Sequence, residues 1–427
     1  MGKKLNFLVL AVLVASTLFF GEAFAAEGAT DALDTGDTAW MLVASAFVLL
    51  MTPGLAFFYG GMVNKKNVIS TMLQSFVALG VVSIVWVAVG FSLAFGDSLG
   101  GIIGNPATYF NFRGVGVAPN PDFAATIPFL LFALFQLKFA IITPALITGS
   151  FAERVRFRSY ILFMVLFTLV IYAPLAHMTW HPGGLFRNWG VLDYAGGTVV
   201  HMSAGFAALA GAIFLGKRKQ TTHEPSNVPF IILGTGLLWF GWFGFNSGSA
   251  LGANGDAVVA FANTNLASAS AMITWMFYER FQDRKMSALG ACIGAIVGLV
   301  AITPAAGFVT IGQSIFIGFA AALTSNLAIR LKNKSELDDT LDVFPSHGVG
   351  GIVGMILTAV FAREVGLIYG ETTTFLYHLL ALAIVAVFTF GGSWLLYKLV
   401  DLLLPLRVTS DQELRGLDAS QHGERVD

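Results

Sequence analysis

Apolar residues fall along this chain in blocks of about twenty, each bounded by shorter polar stretches. A helix that spans a bilayer needs roughly 20 mostly apolar residues. Eleven blocks reach that length, at 39–62, 69–95, 125–149, 159–176, 195–216, 228–247, 257–278, 287–303, 311–330, 346–362 and 375–400. The pattern predicts an all-α membrane protein with eleven transmembrane helices. A further apolar stretch, Leu8–Phe20, follows Lys3 and Lys4 and precedes Ala23-Phe24-Ala25. That is the layout of a secretory signal peptide with cleavage after Ala25; the alternative is an uncleaved extra helix. The chain then divides into a signal peptide (1–25), a transmembrane domain (26–403) and a polar C-terminal tail (404–427).

Composition agrees with a membrane setting. Of 427 residues 56% are hydrophobic and 11% charged, and the mean hydropathy is +0.76. A soluble domain carries about 25% charged residues. The 47 glycines fit closely packed membrane helices. A net charge of −1 gives no sign of a nucleic-acid partner. The single cysteine, Cys292, precludes an intramolecular disulfide and reads as inert packing. No metal-ligand cluster, nucleophile elbow or phosphate loop appears, so neither an enzyme nor a cofactor is expected. Glycine-rich stretches such as 348–354 lie within predicted spans and read as packing.

Charge sets the orientation, because Lys and Arg concentrate in cytoplasmic loops. One side receives Lys65, Lys66, the arginines at 154, 156 and 158, the basic runs at 217–219, 280–285 and 330–334, and the tail. The other side receives only Arg113, Arg187 and Arg363. The segment 26–38 holds Glu27, Asp31, Asp34 and Asp37 and no basic residue. Eleven helices with the N-terminus outside and the C-terminus inside satisfy this distribution; an even number would put the basic tail on the wrong side.

Two histidines, His201 and His347, fall in the fifth and tenth blocks. Read as two units of five helices, each unit carries its histidine on its last helix. Five is odd, so the second unit enters the membrane upside down and forms an inverted repeat, with an eleventh helix added. Such repeats place substrate sites near the mid-plane, at the repeat interface. His201-Met-Ser-Ala-Gly205 and His347-Gly-Val-Gly-Gly351 both read His-x-x-x-Gly. Small residues there let the helices cross closely and bring the imidazoles together. One buried histidine reads as a ring satisfied by a backbone carbonyl; two at equivalent places read as function.

Several motifs carry a resemblance. Around the histidines the chain reads DYAGGTVVHMSAG (193–205) and DVFPSHGVGGIVG (342–354). Elsewhere it reads MTPGLAFFYGGMV (51–63), FAERVRF (151–157), GWFGFNSGS (241–249) and GLDASQHGE (416–424). Together these resemble the ammonium transporter family that includes the bacterial Amt, yeast Mep and animal Rh proteins, over the whole mature chain. The resemblance implies a homotrimer in the cell (inner) membrane, with one ammonium-conducting pore per subunit. It implies an outer recruitment site of Trp180, Phe135 and Ser249, a gate of Phe139 and Phe245, and a pore lined by His201 and His347. The same resemblance makes Asp193 the buried acid that supports the outer site. In the tail, Gly416, Asp418, His422 and Glu424 are expected to couple subunits, and a PII-type signal protein to dock on that face.

The chemistry suits ammonium. NH4+ and K+ are similar in size, so width does not separate them. Aromatic faces attract cations, tryptophan most strongly, and Ser249 offers an acceptor for an N–H bond that K+ cannot donate. Asp193 lies eight residues before His201. It suits a helix cap by direct contact and a longer-range attraction for a cation; Asp342 is expected to play the capping part ahead of His347. A bare charge in an apolar passage costs far more than NH3, so the proton leaves first. Neutral imidazoles each have one donor and one acceptor, and histidine titrates near neutral pH, so a facing pair can relay that proton. Electrogenic uptake is the net expectation. Trp242 and Asn246 flank Phe245 and read as packing. Lys138, between Phe135 and Phe139, departs from the family pattern. It reads either as a lysine that snorkels or pairs with carbonyls at a subunit contact, or as a fixed charge near the path that favours a sensing variant. The competing functions are an ammonium sensor with a closed pore and an Rh-like channel for neutral gas.

Overall fold

A computed structural model describes residues 32–221 and 224–426. The signal-peptide segment, with its Ala25 cleavage site, lies outside the described residues, as do Glu27 and Asp31. Eleven apolar helices follow in order: α1 (Thr35–Met62), α2 (Lys65–Phe95), α3 (Phe129–Ser150), α4 (Phe157–Asn188), α5 (Gly197–Leu215), α6 (Val228–Ala250), α7 (Gly255–Phe281), α8 (Ala288–Ile302), α9 (Ile311–Asn333), α10 (Phe344–Phe361) and α11 (Thr372–Leu403). Among the described residues ten of them are long and apolar enough to cross a bilayer. The exception is α8, whose 15 residues span about 22 Å at 1.5 Å per residue. Its second half is buried in protein rather than presented outward, with Ala295, Val297, Leu299 and Ala301 at most 1% exposed. A helix so enclosed need not match the bilayer thickness.

Polar residues start these helices where the sequence supplies them. Asp34, Asn227, Asn254 and Ser287 each accept a backbone N–H in the first turn of α1, α6, α7 and α8, and Thr310 with Gln313 forms a capping box on α9. Caps of this kind leave fewer orphan donors at the helix end. Between α1 and α6 the backbones nearly touch: a Cβ on Gly54 would stand 2.9 Å from Leu237 Cβ. Close approach through small residues is how membrane helices gain packing contacts without a hydrophobic drive. Helices α7, α8 and α9 pack through a second core of small residues that includes Ala260, Ala267, Ala271, Ala301 and Ala321.

Four helices contain a wide π turn: Trp86–Gly90 in α2, Thr168–Tyr172 in α4, and the openings of α5 (Gly197–Met202) and α10 (Phe344–Val349). Such turns break the regular i→i−4 ladder and occur often at functional sites. The two at the openings of α5 and α10 carry the histidines.

The connection between α2 and α3 folds over one face of the bundle. It holds a short antiparallel pair, Ser98–Leu99 with Ile103–Gly104. Phe123 closes it down by stacking on Phe129 and Phe132, with centroids 5.6 Å and 5.4 Å apart. The tail folds over the opposite face. Arg407 donates to the carbonyls of Leu215 and Lys217 and pairs with Glu413, while Val408 N–H bonds Arg154 O. Asp418 then accepts from Ile69 N–H and Ser70 N–H, and Leu417 N–H donates to Asn67. Of the tail residues singled out in the sequence, Asp418 and His422 (ring nitrogen 3.2 Å from Ser70 Oγ) both rest on α2 of their own chain.

Candidate functional site

On the face opposite the tail, a cavity of about 490 Å³ opens between α3, α4, α6 and the segment before α5. Trp180, Phe139, Asp193 and Ser249 line it, with Gln136 and Tyr194 beside them. Trp180 ends the main run of α4, and its indole N–H donates to Asp193 O at 3.0 Å. That bond fixes the ring edge and ties the tryptophan to the same residue that organises α5. The Ser249 hydroxyl donates to Phe245 O at 2.9 Å, which leaves its oxygen lone pairs toward the cavity for an incoming donor. Phe135 does not line the cavity. It is buried beside Phe139, edge-on at 4.9 Å.

Below the cavity the rings run on without interruption. Phe139 meets Trp180 edge-on at 5.9 Å and lies against Phe245 at 4.2 Å. Phe245 reaches His201 at 6.1 Å, and His201 reaches His347. The two imidazoles face each other with Nδ1 atoms 3.2 Å apart, planes inclined by 22° and both residues buried. One Nδ1 must carry the hydrogen and the other accept it, so the two rings hold opposite tautomers. His201 Nε2 is buried with no hydrogen-bond partner among the described residues. An unpartnered buried nitrogen costs free energy in a static protein and suits a position a solute or water can occupy.

Backbone geometry makes the pair. Gly205 on α5 and Gly348 on α10 touch so closely that a Cβ on Gly205 would collide with the Gly348 backbone. The crossing expected from the two His-x-x-x-Gly stretches is there. Asp193 holds the start of α5 as a cap: Oδ1 accepts from Gly196 N–H at 2.7 Å and Gly197 N–H at 2.6 Å, and Oδ2 from Thr198 N–H and its hydroxyl. The turn needs Gly196 at φ 115°, a left-handed conformation that favours glycine. The direct contact of Asp193 is thus the cap.

The other cap differs from the one expected. Asp342 does not cap α10; it pairs with Lys332 Nζ at 2.5 Å. Asp339 takes the cap, accepting from Val343 N–H at 3.1 Å and Phe344 N–H at 2.7 Å. Its spacing to His347 equals that of Asp193 to His201, a signal present in the sequence. Two more buried histidines also emerge. His177 donates to Ala94 O and accepts from Ser98 Oγ; His378 donates to Met355 O and accepts from Leu192 N–H. Both rings are saturated, so they staple structure, whereas His201 is not. Trp242 does more than pack: it stacks on His201 at 5.4 Å and 15°, held by its N–H to Thr303. Asn246 bonds Thr264 and supports α7.

Lys138 sits half-buried away from the cavity, on the strip of α3 that carries Leu130 and Leu134, and makes no hydrogen bond or ion pair among the described residues. A charge there stands off the ring column. Lys138→Met is expected to leave any solute flux along the ring column unchanged in proteoliposomes; a faster variant would put the charge back on the path.

A helical membrane protein with a cavity on one face, closed below by stacked rings over a buried polar pair, has the build of a transporter or channel for a small polar solute. The model of the Ammonium Transporter Family matches residues 39–426, and the chain belongs to that family. An ammonium transporter of Aquifex aeolicus is 46% identical, over 96% of this chain and 97% of its own length. The crystal structure of Saccharomyces cerevisiae Mep2 superposes with a TM-score of 0.85 at 34% identity, covering 92% of this chain and 93% of that one. A solved structure described as a sensor Amt protein superposes with a TM-score of 0.84 at 30% identity, covering 91% and 98%.

Proposed function

We propose that this chain is an ammonium transporter that recruits NH4+ at the cavity, strips its proton and passes NH3 along an apolar pore beside the His201–His347 pair. The proton crosses separately over the two imidazoles, so uptake is electrogenic. One observation carries the reading: a buried imidazole pair, 3.2 Å apart, directly beneath the Phe139–Phe245 ring contact that floors the cavity. Trp180 and Phe139 offer aromatic faces to the cation. Ser249 accepts an N–H bond, and Asp193 adds negative charge close by. Phe135 packs beside Phe139. Beyond the rings, Phe245, His201 and Trp242 leave no charged partner for K+ or Na+, whose desolvation would stay uncompensated.

The reading extends to the membrane. Eleven spans run from an outer N-terminus to an inner C-terminus, with α8 the shortest. Two units of five form the inverted repeat, residues 26–403 form the transmembrane domain, and 404–427 lie on the cytoplasmic face. The assembly is a homotrimer in the inner membrane, with a PII-type signal protein as the partner of the tail face. A second reading, a sensor with little transport, draws support from the likeness to the sensor Amt protein. Solid-supported-membrane recording separates the two. An ammonium jump on proteoliposomes of the wild type is expected to give a transient current, and an equal K+ jump none. Ammonium binding without current would favour the sensor.

A further inference from the structure

The two histidine helices begin in the same way at opposite faces of the molecule. Asp193 lies eight residues before His201, and Asp339 eight before His347. Three residues after each aspartate the chain takes a left-handed turn, at Gly196 (φ 115°) and at Asp342 (φ 56°). Each carboxylate then accepts from the backbone N–H groups four and five residues on, Gly197 and Thr198 in one case, Val343 and Phe344 in the other. Each helix opens as a π turn that contains its histidine. Asp339 is completely buried.

The loop around Asp339 is held from several sides. Arg154, from the turn between α3 and α4, donates to Asp338 O and Thr340 Oγ1. Arg218, just after α5, clamps the Asp338 carboxylate and Glu153. Lys332 at the end of α9 donates to Asp339 O and pairs with Asp342. Tyr59 of α1 faces the Asp339 charge, its hydroxyl donating to Leu146 O. Arg154, Arg218 and Lys332 thus hold the loop, and the Asp339 carboxylate joins it to the first N–H groups of α10.

We infer that Asp339 is the positioning residue for His347: its ionised carboxylate holds the opening of α10 so that His347 meets His201, and neutralising it in acid lets the pair loosen and slows transport. The inference rests on the proposed role of the pair in transport. An ionised carboxylate accepts on both oxygens, whereas the neutral acid turns one of them into a hydroxyl that faces an N–H and accepts poorly. His347 is the fourth residue of α10 and Gly348 touches Gly205, so a shift at the helix start reaches the imidazole contact directly. Hydrogen bonds weaken steeply as geometry departs from optimum.

Burial, and then the neighbouring Asp342, push the Asp339 carboxyl up to about 6, against the opposing Lys332 charge and the two backbone N–H groups. The sign matters. The folded chain binds this proton more tightly than the unfolded chain, so acidification through pH 6 does not unfold the protein at this group.

The test is ammonium current from proteoliposomes at equal pH on both sides, between pH 7 and 5, for wild type, Asp339→Asn, Asp339→Glu and Asp342→Asn. Asp339→Asn is neutral throughout. It is expected to give at pH 7 the reduced current, lower by about fivefold, that wild type shows at pH 5, and to stay flat. Asp339→Glu keeps a titratable group and is expected to keep the fall with a displaced midpoint, while Asp342→Asn, which removes a negative charge beside Asp339, is expected to keep the wild-type current at pH 7 and to move the midpoint to lower pH. A flat wild-type profile, an Asp339→Asn profile that tracks wild type, or an unmoved midpoint in Asp339→Glu overturns the inference. If Asp339→Asn does not fold, the wild-type profile and the Asp339→Glu midpoint still decide. Failure of the transport reading looks different: folded wild type then gives no ammonium current at pH 7.

Discussion

Replacing Asp193 with alanine is expected to lower the stability of the folded chain by about 3–4 kcal/mol, from the lost cap and the orphaned donors, and to abolish ammonium current. The effect is large because one residue does three things. It accepts four hydrogen bonds at 2.5–2.7 Å, all from the opening of α5. Alanine leaves three backbone N–H groups and the Thr198 hydroxyl buried without partners. Its backbone carbonyl also holds the Trp180 indole, so a loosened turn misplaces the aromatic face of the cavity. Its charge faces the cavity as well. Asp193→Asn separates these parts, since it keeps the shape and one acceptor but not the charge. Detergent-solubilised Asp193→Asn is expected to melt between alanine and wild type, and to need a higher ammonium concentration for half-maximal current. An alanine variant that melts and conducts like wild type would remove both the cap and the charge from the account.

Much of this arrangement is legible in the sequence, and the parts that are not share a physical cause. Long apolar blocks mark the spans because lipid accepts little else, so ten helices long enough to cross stand where hydropathy predicts them. The blocks misjudge ends where polar side chains are satisfied inside the protein. Helix α4 was expected to stop at 176, but its main run continues to Trp180 because His177 finds Ala94 O and Ser98. Hydropathy counts such a residue as a stop; in the fold it is a staple. In the same way α8 has the composition of a span but not the length, because its neighbours rather than lipid enclose its second half.

The candidate site is legible to a similar degree. The paired His-x-x-x-Gly stretches predict the close crossing, and Gly205 against Gly348 provides it. Trp180, Phe139, Ser249 and Asp193 meet at one cavity, while Phe135 stands beside Phe139. The wide turns that open α5 and α10 have no simple sequence signature, since they depend on which carbonyls the tertiary contacts leave free. Nearness to His347 points to Asp342 for the second cap, yet its carboxylate pairs with Lys332. Equal spacing in the two halves pointed to Asp339, and the left-handed turn explains why the more distant carboxylate reaches back to the helix. Hydropathy also gives no hint that Trp242 stacks on His201, because an indole in a span is ordinary packing until its ring is seen to cover an imidazole.

The central claim is that the proton and NH3 travel apart, with the proton passing over His201 and His347. The geometry behind it is an Nδ1–Nδ1 contact of 3.2 Å and a buried Nε2 on His201 with no partner among the described residues, while the rings of the buried His177 and His378 are saturated. Leucine at both positions keeps the volume close to that of the rings and leaves no group that accepts or donates a proton. Moving a bare charge through such an apolar passage costs several kcal/mol or more, enough to reduce a proton-coupled current by well over a hundredfold. Solid-supported-membrane recording of His201→Leu/His347→Leu, reconstituted beside wild type at matched protein density, is the direct measurement. The account predicts that the ammonium-evoked current disappears; a current of wild-type size with unchanged selectivity for NH4+ over K+ would contradict it.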